Sequence, residues 1–244
     1  AAAEQNIACS RGRHFGDKAK DIVSIGKTSQ FSIERIVKLQ PDLILGFYIN
    51  PEVYKLLSET APTLKVKKIE PIHLKWKQTF VKIAEKLDRK EQAQTALNKY
   101  QQRVDKLRQQ IKQKVGDKTV SVMRFYASGR VQVETIYSFS TVIIQELGLS
   151  LPPQLLPFST DKYTSTIPIS LERVDLADAD VLFVMLDPDS EDNFKRYQSS
   201  PLWKKLNVVE NNRVYTVDSN YWYFGNILAA NAILDDLEKY LLGN

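Results

Sequence analysis

The chain carries one short pattern twice, and the two copies constrain its fold more than any other feature. Ser32-Ile33-Glu34-Arg35-Ile36 leads through Leu39 into Pro41-Asp42-Leu43-Ile44-Leu45, and Ser170-Leu171-Glu172-Arg173-Val174 leads through Ala177 into Ala179-Asp180-Val181-Leu182-Phe183. The spacing from Ser to Asp is the same in both. Each copy predicts a short helix with apolar residues at helical spacing, a tight turn, and a strand buried on both faces. Copies this far apart imply two similar α/β lobes rather than a tandem array. Packing explains the apolar positions, but not the shared Glu and Arg on the helix's outer face.

Around the copies the elements alternate. Residues 1–18 are small and polar and read as a loop, followed by a strand at 21–26. The first copy then supplies a helix and a strand at 42–47. Pro51 suits the first turn of a helix that runs to about residue 58. A strand at 64–69 and a helix at 75–87 complete a first lobe with a parallel sheet. Ala93, Leu97, Tyr100, Val104, Leu107 and Ile111 then hold three-to-four spacing, with Lys, Arg and Gln on the other face; this is a long amphipathic helix that ends at Gly116. It reads as a rigid strut between lobes. Its basic face lacks aromatic interleaving and is interrupted by Asp105, so it reads as a solvated face and not as a nucleic-acid contact. The second lobe is expected to hold strands at 119–125, 130–135, 181–186 and 214–217. Its helices fall at 138–147, near 191–197 and 202–206, and at 227–242, and residues 151–166 read as irregular. The expected division is 1–92, 93–115 and 116–244.

Composition narrows the chemistry. A chain of 244 residues with 43% apolar content can build sizeable cores and is not disordered. Its net charge of +5 allows anionic partners without compelling them. One cysteine, Cys9, excludes an intrachain disulfide and any thiolate cluster. With His14 and His73 as the two histidines, a protein-built zinc or iron site is not expected. No apolar run nears the roughly 20 residues needed to span a bilayer. The opening residues Ala1 to Asn6 show no basic or apolar signal region, and Cys9 reads as a loop residue. No nucleophile elbow, phosphate loop, dinucleotide fingerprint or H-E-x-x-H motif occurs.

What remains is a set of cations and rings at predicted strand ends, where open α/β sheets bind ligands. Lys27 and Tyr48 fall there in the first lobe. Arg124, Tyr126, Arg130 and the run Ser219-Asn220-Tyr221-Trp222-Tyr223-Phe224-Gly225 fall there in the second. Such a set suits an anionic, partly apolar ligand.

An ordered series of segments then matches a known family: V-S-I-G before S-I-E-R-I-V-K-L-Q-P-D-L-I-L-G, then A-P-T, then W-K-Q-T-F-V-K-I-A-E-K-L. V-S-V-M-R-F, L-E-R-V-D-L-A-D-A-D-V-L-F-V, S-P-L-W-K-K-L-N-V-V-E-N-N-R-V-Y-T-V-D and W-Y-F-G with I-L-D-D-L follow in the same order. From about residue 20 onward the chain resembles the siderophore-type substrate-binding proteins of ABC importers, the class of the ferrichrome, ferric-citrate and vitamin B12 binders. The resemblance implies two Rossmann-like α/β lobes joined by one long rigid helix, with the ligand between them. It implies no enzyme activity and no intrinsic cofactor; iron arrives as Fe3+ inside a siderophore of citrate or hydroxamate type, and no protein atom ligates it. Ligand contacts are implied at Lys27, Tyr48 and Trp222 and at the position of Phe224, to which the strand-end reading adds Arg124, Tyr126 and Arg130; binding is expected to quench Trp222 fluorescence. At Phe224 the ferrichrome binder has a Tyr, so one hydroxyl contact is absent. Glu34 and Glu172 are implied to dock on arginines of the permease dimer in the inner membrane. A monomer outside the cytoplasm, with or without a lipid anchor, completes the picture.

The series departs from the family at its start, where a strand, a helix and a second strand usually precede V-S-I-G. The first-lobe sheet is therefore expected to be incomplete or filled by another chain, and Arg11, Arg13 and His14 to lie in the loop ahead of it. Haem or cobalamin binding on the same fold is the neighbouring alternative. A two-lobed α/β enzyme such as a glycosyltransferase is the alternative of another class.

Overall fold

The computed structural model describes residues 21–27, 30–47, 49–66, 75–223 and 225–243. They divide into two compact units, Ala1–Ile72 and His73–Asn244. The expected strand at 21–26 does not form as such; β1 (Gly26–Lys27) and β2 (Gln30–Phe31) make a small antiparallel hairpin instead. Gly26 sits at φ 107°, and a Cβ there would meet the Gln30 carbonyl oxygen at 2.9 Å. That left-handed conformation breaks the strand. The first repeat copy forms α1 (Ile33–Lys38), whose Ser32 hydroxyl accepts the Arg35 amide, and the strand β3 (Ile44–Phe47). Asn50 then caps α2 (Pro51–Thr60), with Pro51 in its first turn, and β4 (Thr63–Val66) pairs parallel to β3. Among the described residues this sheet has two strands, and Leu45 and Phe47 remain 39% and 41% exposed.

The second unit opens with two helices that the sequence assigned elsewhere. The helix α3 (Trp76–Lys86), expected in the first lobe, packs against α4 (Lys90–Lys114) in this unit. The long α4 spans about 37 Å at ~1.5 Å per residue. It is not a separate segment: Tyr100, Val104, Leu107 and Ile111 are buried in the second unit's core. The expected boundaries at 92 and 116 therefore give way to one at 72, because the apolar stripe of α4 is satisfied by C-terminal partners.

The core strands are β5 (Val120–Phe125), β6 (Val131–Glu134), β7 (Thr166–Pro168), β8 (Val181–Leu186) and β9 (Val214–Asp218), in the order β7-β6-β5-β8-β9. β5, β8 and β9 run parallel, and β6 and β7 are antiparallel additions. Strand alternation sorts the side chains into two cores. Val120, Val122, Val181, Phe183 and Met185 face α4, α5 (Phe139–Glu146) and α10 (Ile227–Leu242). Met123, Phe125, Val133, Leu182 and Val184 face the opposite layer, with Phe194 of α6 (Glu191–Ser199), Trp203 of α7 (Pro201–Lys204) and Val208 of α8 (Asn207–Glu210). The stretch expected to be irregular, 151–166, holds a 3-10 helix at Pro153–Phe158 and ends on the first residue of β7.

The second repeat copy folds differently from the first. Its helix is a kinked 3-10 stretch, Leu171–Ala177, with non-helical dihedrals at Arg173. Its Asp180 accepts the Thr119 amide and hydroxyl at 2.9 and 3.0 Å and the Lys118 ammonium at 3.0 Å. The carboxylate thereby ties the starts of β8 and β5 together, and the Thr119 amide, before the other contacts, holds it below its ordinary value.

Candidate functional site

The carboxyl ends of the parallel strands carry the chemistry. Arg124 is the penultimate residue of β5, opposite Gln132 on β6. Past the ladder, the chain turns at Gly129 (φ 82°), with the Tyr126 amide donating to the Arg130 carbonyl at 3.0 Å. Arg130 thus lies beside Tyr126, its guanidinium carbon 4.1 Å from the ring centre. The Arg124 guanidinium lies 4.6 Å from the same ring and 3.9 Å from the Tyr223 ring. Two cations on two rings form one continuous patch, each contact contributing about 0.5–2 kcal/mol. Asn193 of α6 donates to the Tyr126 and Arg130 carbonyls at 3.3 and 3.4 Å and fixes the hairpin on the sheet.

Arg124 is 8% exposed and needs a counter-charge. Asp187, just past β8, supplies it: Nε and Nη2 donate to its two carboxylate oxygens at 2.9 and 3.0 Å. Burial opposes the charge on Arg124, but the Asp187 bonds and charge outweigh it and raise the net affinity for the proton. Nη1 makes no hydrogen bond among the described residues. The Tyr126 hydroxyl donates to the Gln132 Oε1 at 2.7 Å, and burial, opposed by Arg124, raises its titration above the ordinary range, so the ring stays a neutral phenol.

A second carboxyl lies on the same sheet face. Glu134 is two residues along β6 from Gln132, so strand alternation sends both side chains to one side. It is 2% exposed, and its Oε1 has no hydrogen-bond partner. Burial pushes its carboxyl up to about 7, while a hydrogen bond with Ser138 and the charge of Arg124 pull the other way.

The sequence-predicted residues fare unevenly. Arg124, Tyr126 and Arg130 come together. Trp222 is a correction: it is 0% exposed, stacks on Phe183 at 4.8 Å, and donates its indole N–H to Asp236 at 2.7 Å. The reason is local. Residues placed from sequence only as following the strand at 214–217 make one helical turn, α9 (Ser219–Trp222), capped by Asp218, which turns Trp222 inward while Tyr223 meets Arg124. Lys27 is exposed on β1 in the first unit, lining a shallow groove with Gln30, Ser32 and Arg35. Tyr48, Phe224, Arg11, Arg13, His14 and Cys9 lie outside the described residues. Glu34 and Glu172 are both exposed in the first turns of their helices. The backbone amide of Glu172 itself and the Ser170 hydroxyl hold the Glu172 carboxylate below its ordinary value.

Sequence reading missed Asp187 and Glu134, and it named Tyr223 only within the run from Ser219 to Gly225. Asp187 opens the turn Asp187-Pro188-Asp189 after β8, where an acidic residue needs no partner to be explained. Glu134 was signalled by the alternation in V-Q-V-E, which sets a Glu on the face of Arg124. Among the described residues no cluster of three or more His, Cys, Asp or Glu could hold a metal ion, and no helix is long and apolar enough to cross a membrane.

A family model described as periplasmic binding protein matches residues 5–221. The probable siderophore-binding lipoprotein YfiY of Bacillus subtilis (strain 168) is 32% identical over 242 residues, covering 94% of this chain and 72% of that protein. The achromobactin-binding periplasmic protein of Dickeya dadantii (strain 3937) is 29% identical over 244 residues, covering 93% and 74%. Staphylococcus aureus SirA complexed with staphyloferrin B superposes with a TM-score of 0.80 at 26% identity, over 94% of this chain and 81% of that one.

Proposed function

This chain belongs to the periplasmic binding protein family, and from that membership we propose that it binds a ferric siderophore outside the cytoplasm and delivers it to an ABC importer. It is a binding protein and not an enzyme, as its family and relatives are. The observation that carries the ligand class is the patch of Arg124, Tyr126, Arg130 and Tyr223 at the strand ends. Guanidinium groups donate charge-assisted bonds to carboxylate oxygens, and the rings offer flat apolar surface to the body of the ligand. A carboxylate-bearing, anionic ferric complex fits this surface better than a neutral one. The ferric ion is cargo, held by the siderophore's own oxygens.

Arg124 and Arg130 divide the work. The fork of Arg124 is filled by Asp187, so Arg124 contributes Nη1 and a fixed positive field. Arg130 is exposed and carries no ion pair among the described residues, so it is the cation that meets a ligand oxygen directly. Lys27 is proposed as a ligand-binding cation of the first unit. Glu34 and Glu172 serve the importer instead: exposed carboxylates contribute only about 0–1 kcal/mol per pair, which suits orientation of an encounter more than tight binding.

Isothermal titration against ferric staphyloferrin B, ferric citrate, haem and cobalamin tests this reading. Sub-micromolar binding of at least one ferric carboxylate complex, with none of its iron-free form, is expected. A red haem complex or cobalamin binding, with no response to any ferric siderophore, would move the assignment to a sister ligand.

A further inference from the structure

The Glu134 carboxyl has no part in the ligand contacts described above, yet it sits behind them with one oxygen unpartnered and almost no exposure. Native structures pair nearly all buried polar atoms, so such a group calls for a physical reason. Its surroundings are specific. From β5, Arg124 faces it as the one charge that acts on it; from its own strand comes Gln132, and from the cap of α5 come the Ser138 hydroxyl and, bonded to that, Thr141. β7 pairs with it through Thr166, which carries no charge. Beyond Arg124 stand Asp187, Tyr126 and Tyr223.

Arg124 therefore has two carboxyls to answer, from two different elements. With Glu134 protonated, Arg124 and Asp187 form a neutral pair. With Glu134 ionised, the two cations Arg124 and Arg130 are already matched by two carboxylates, Asp187 and Glu134, before any ligand arrives. An anionic ligand adds another negative charge to the same guanidinium. Like charges around one site cannot all ionise cheaply in a low-dielectric interior. We infer that binding of the anionic siderophore at the Arg124–Arg130 patch is linked to uptake of one proton by Glu134. This rests on the ligand reading above and adds to it a second species that binds with the siderophore.

The direction follows from the resting state of Glu134, which titrates near 7 in the free protein. Below that pH the carboxyl is neutral in free and bound protein alike, and affinity is level. Above it, the free protein is ionised and must gain a proton to bind. Affinity then falls with rising pH, up to about tenfold per pH unit, until the bound form also ionises.

Titration calorimetry with ferric staphyloferrin B, in phosphate and in Tris at pH 7.5, counts the protons exchanged. Wild type and Glu134→Gln are compared so that protons of the siderophore itself cancel. Wild type is expected to take up more protons than the variant, the difference reaching up to about three quarters of a proton at this pH, and to lose affinity more steeply between pH 7 and 8.5. Equal proton counts and parallel pH profiles would overturn the linkage while leaving the ligand reading intact. Binding of neither ferric staphyloferrin B nor ferric citrate by wild type would overturn the ligand reading, and the linkage with it. The wild-type protein provides a readout free of any folding defect in the variant: carbon NMR of labelled Glu134 should show its midpoint rising on saturation with the siderophore. A midpoint that stays put overturns the inference.

Discussion

Glu134 shows how one residue beside the patch can be costly to the fold. Its carboxyl is held near 7 by burial, against an ordinary value of 4.5. A carboxyl raised on folding is protonated more readily in the native state, so folding takes up a proton between those two values. Stability is then greatest below 4.5 and declines as pH rises through about 7, by up to about 3 kcal/mol in total. Replacing Glu134 by Gln removes that term. Urea denaturation should find the variant gaining on wild type between pH 5 and pH 8, and a constant difference would show that the carboxyl is not buried as described. Residue identity was the legible part of this site. Arg124, Tyr126 and Arg130 could be picked out because cations beside rings at strand ends are unusual in a core. Trp222 could not be placed from sequence, because one turn of helix, absent from any periodicity signal in four residues, decides between core and surface.

At the scale of elements, the mostly apolar runs V-S-V-M-R-F and V-L-F-V-M-L made β5 and β8 readable, since both faces of each strand are buried. The short β7 was not readable, because Thr166-Ile167-Pro168 is bounded by loop residues and draws its order from pairing with β6. The repeat predicted two like helices, yet only the first is an α-helix; the second tightens into 3-10 turns while its Asp180 fastens β8 to β5. The attachment of α3 and α4 to the second unit depends on contacts that no local pattern reveals. Glu146 on α5 accepts from Lys77 of α3 at 2.7 Å and from the Tyr100 hydroxyl of α4 at 2.8 Å. Tyr100 is 1% exposed, so its hydroxyl has no water to turn to. Glu146→Ala should therefore cost about 2 kcal/mol, the loss of buried bonds to a charged acceptor. A change below about 0.5 kcal/mol in urea denaturation would show that the three-helix junction stands on its apolar contacts alone.

For the whole molecule, the sequence carried the family through an ordered series of segments, none diagnostic alone, and the family carried the function. It misplaced the division between units because a stripe on a long helix says that it is buried but not against what. The repeated Glu now has a role to be tested at this scale. Replacing Glu34 and Glu172 together by Ala should abolish siderophore-dependent iron uptake while leaving the affinity for ferric siderophore within about twofold; uptake at the wild-type rate would make both carboxylates plain surface. The central claim, that an anionic ferric siderophore is recognised by the cation–ring patch, is tested most directly by calorimetric Kd values of wild type and Arg130→Ala for ferric staphyloferrin B. Removal of a charge-assisted contact contributing ~1.5–3 kcal/mol predicts a loss of at least tenfold in affinity for Arg130→Ala with the fold intact. Equal affinity in the two proteins would contradict the account.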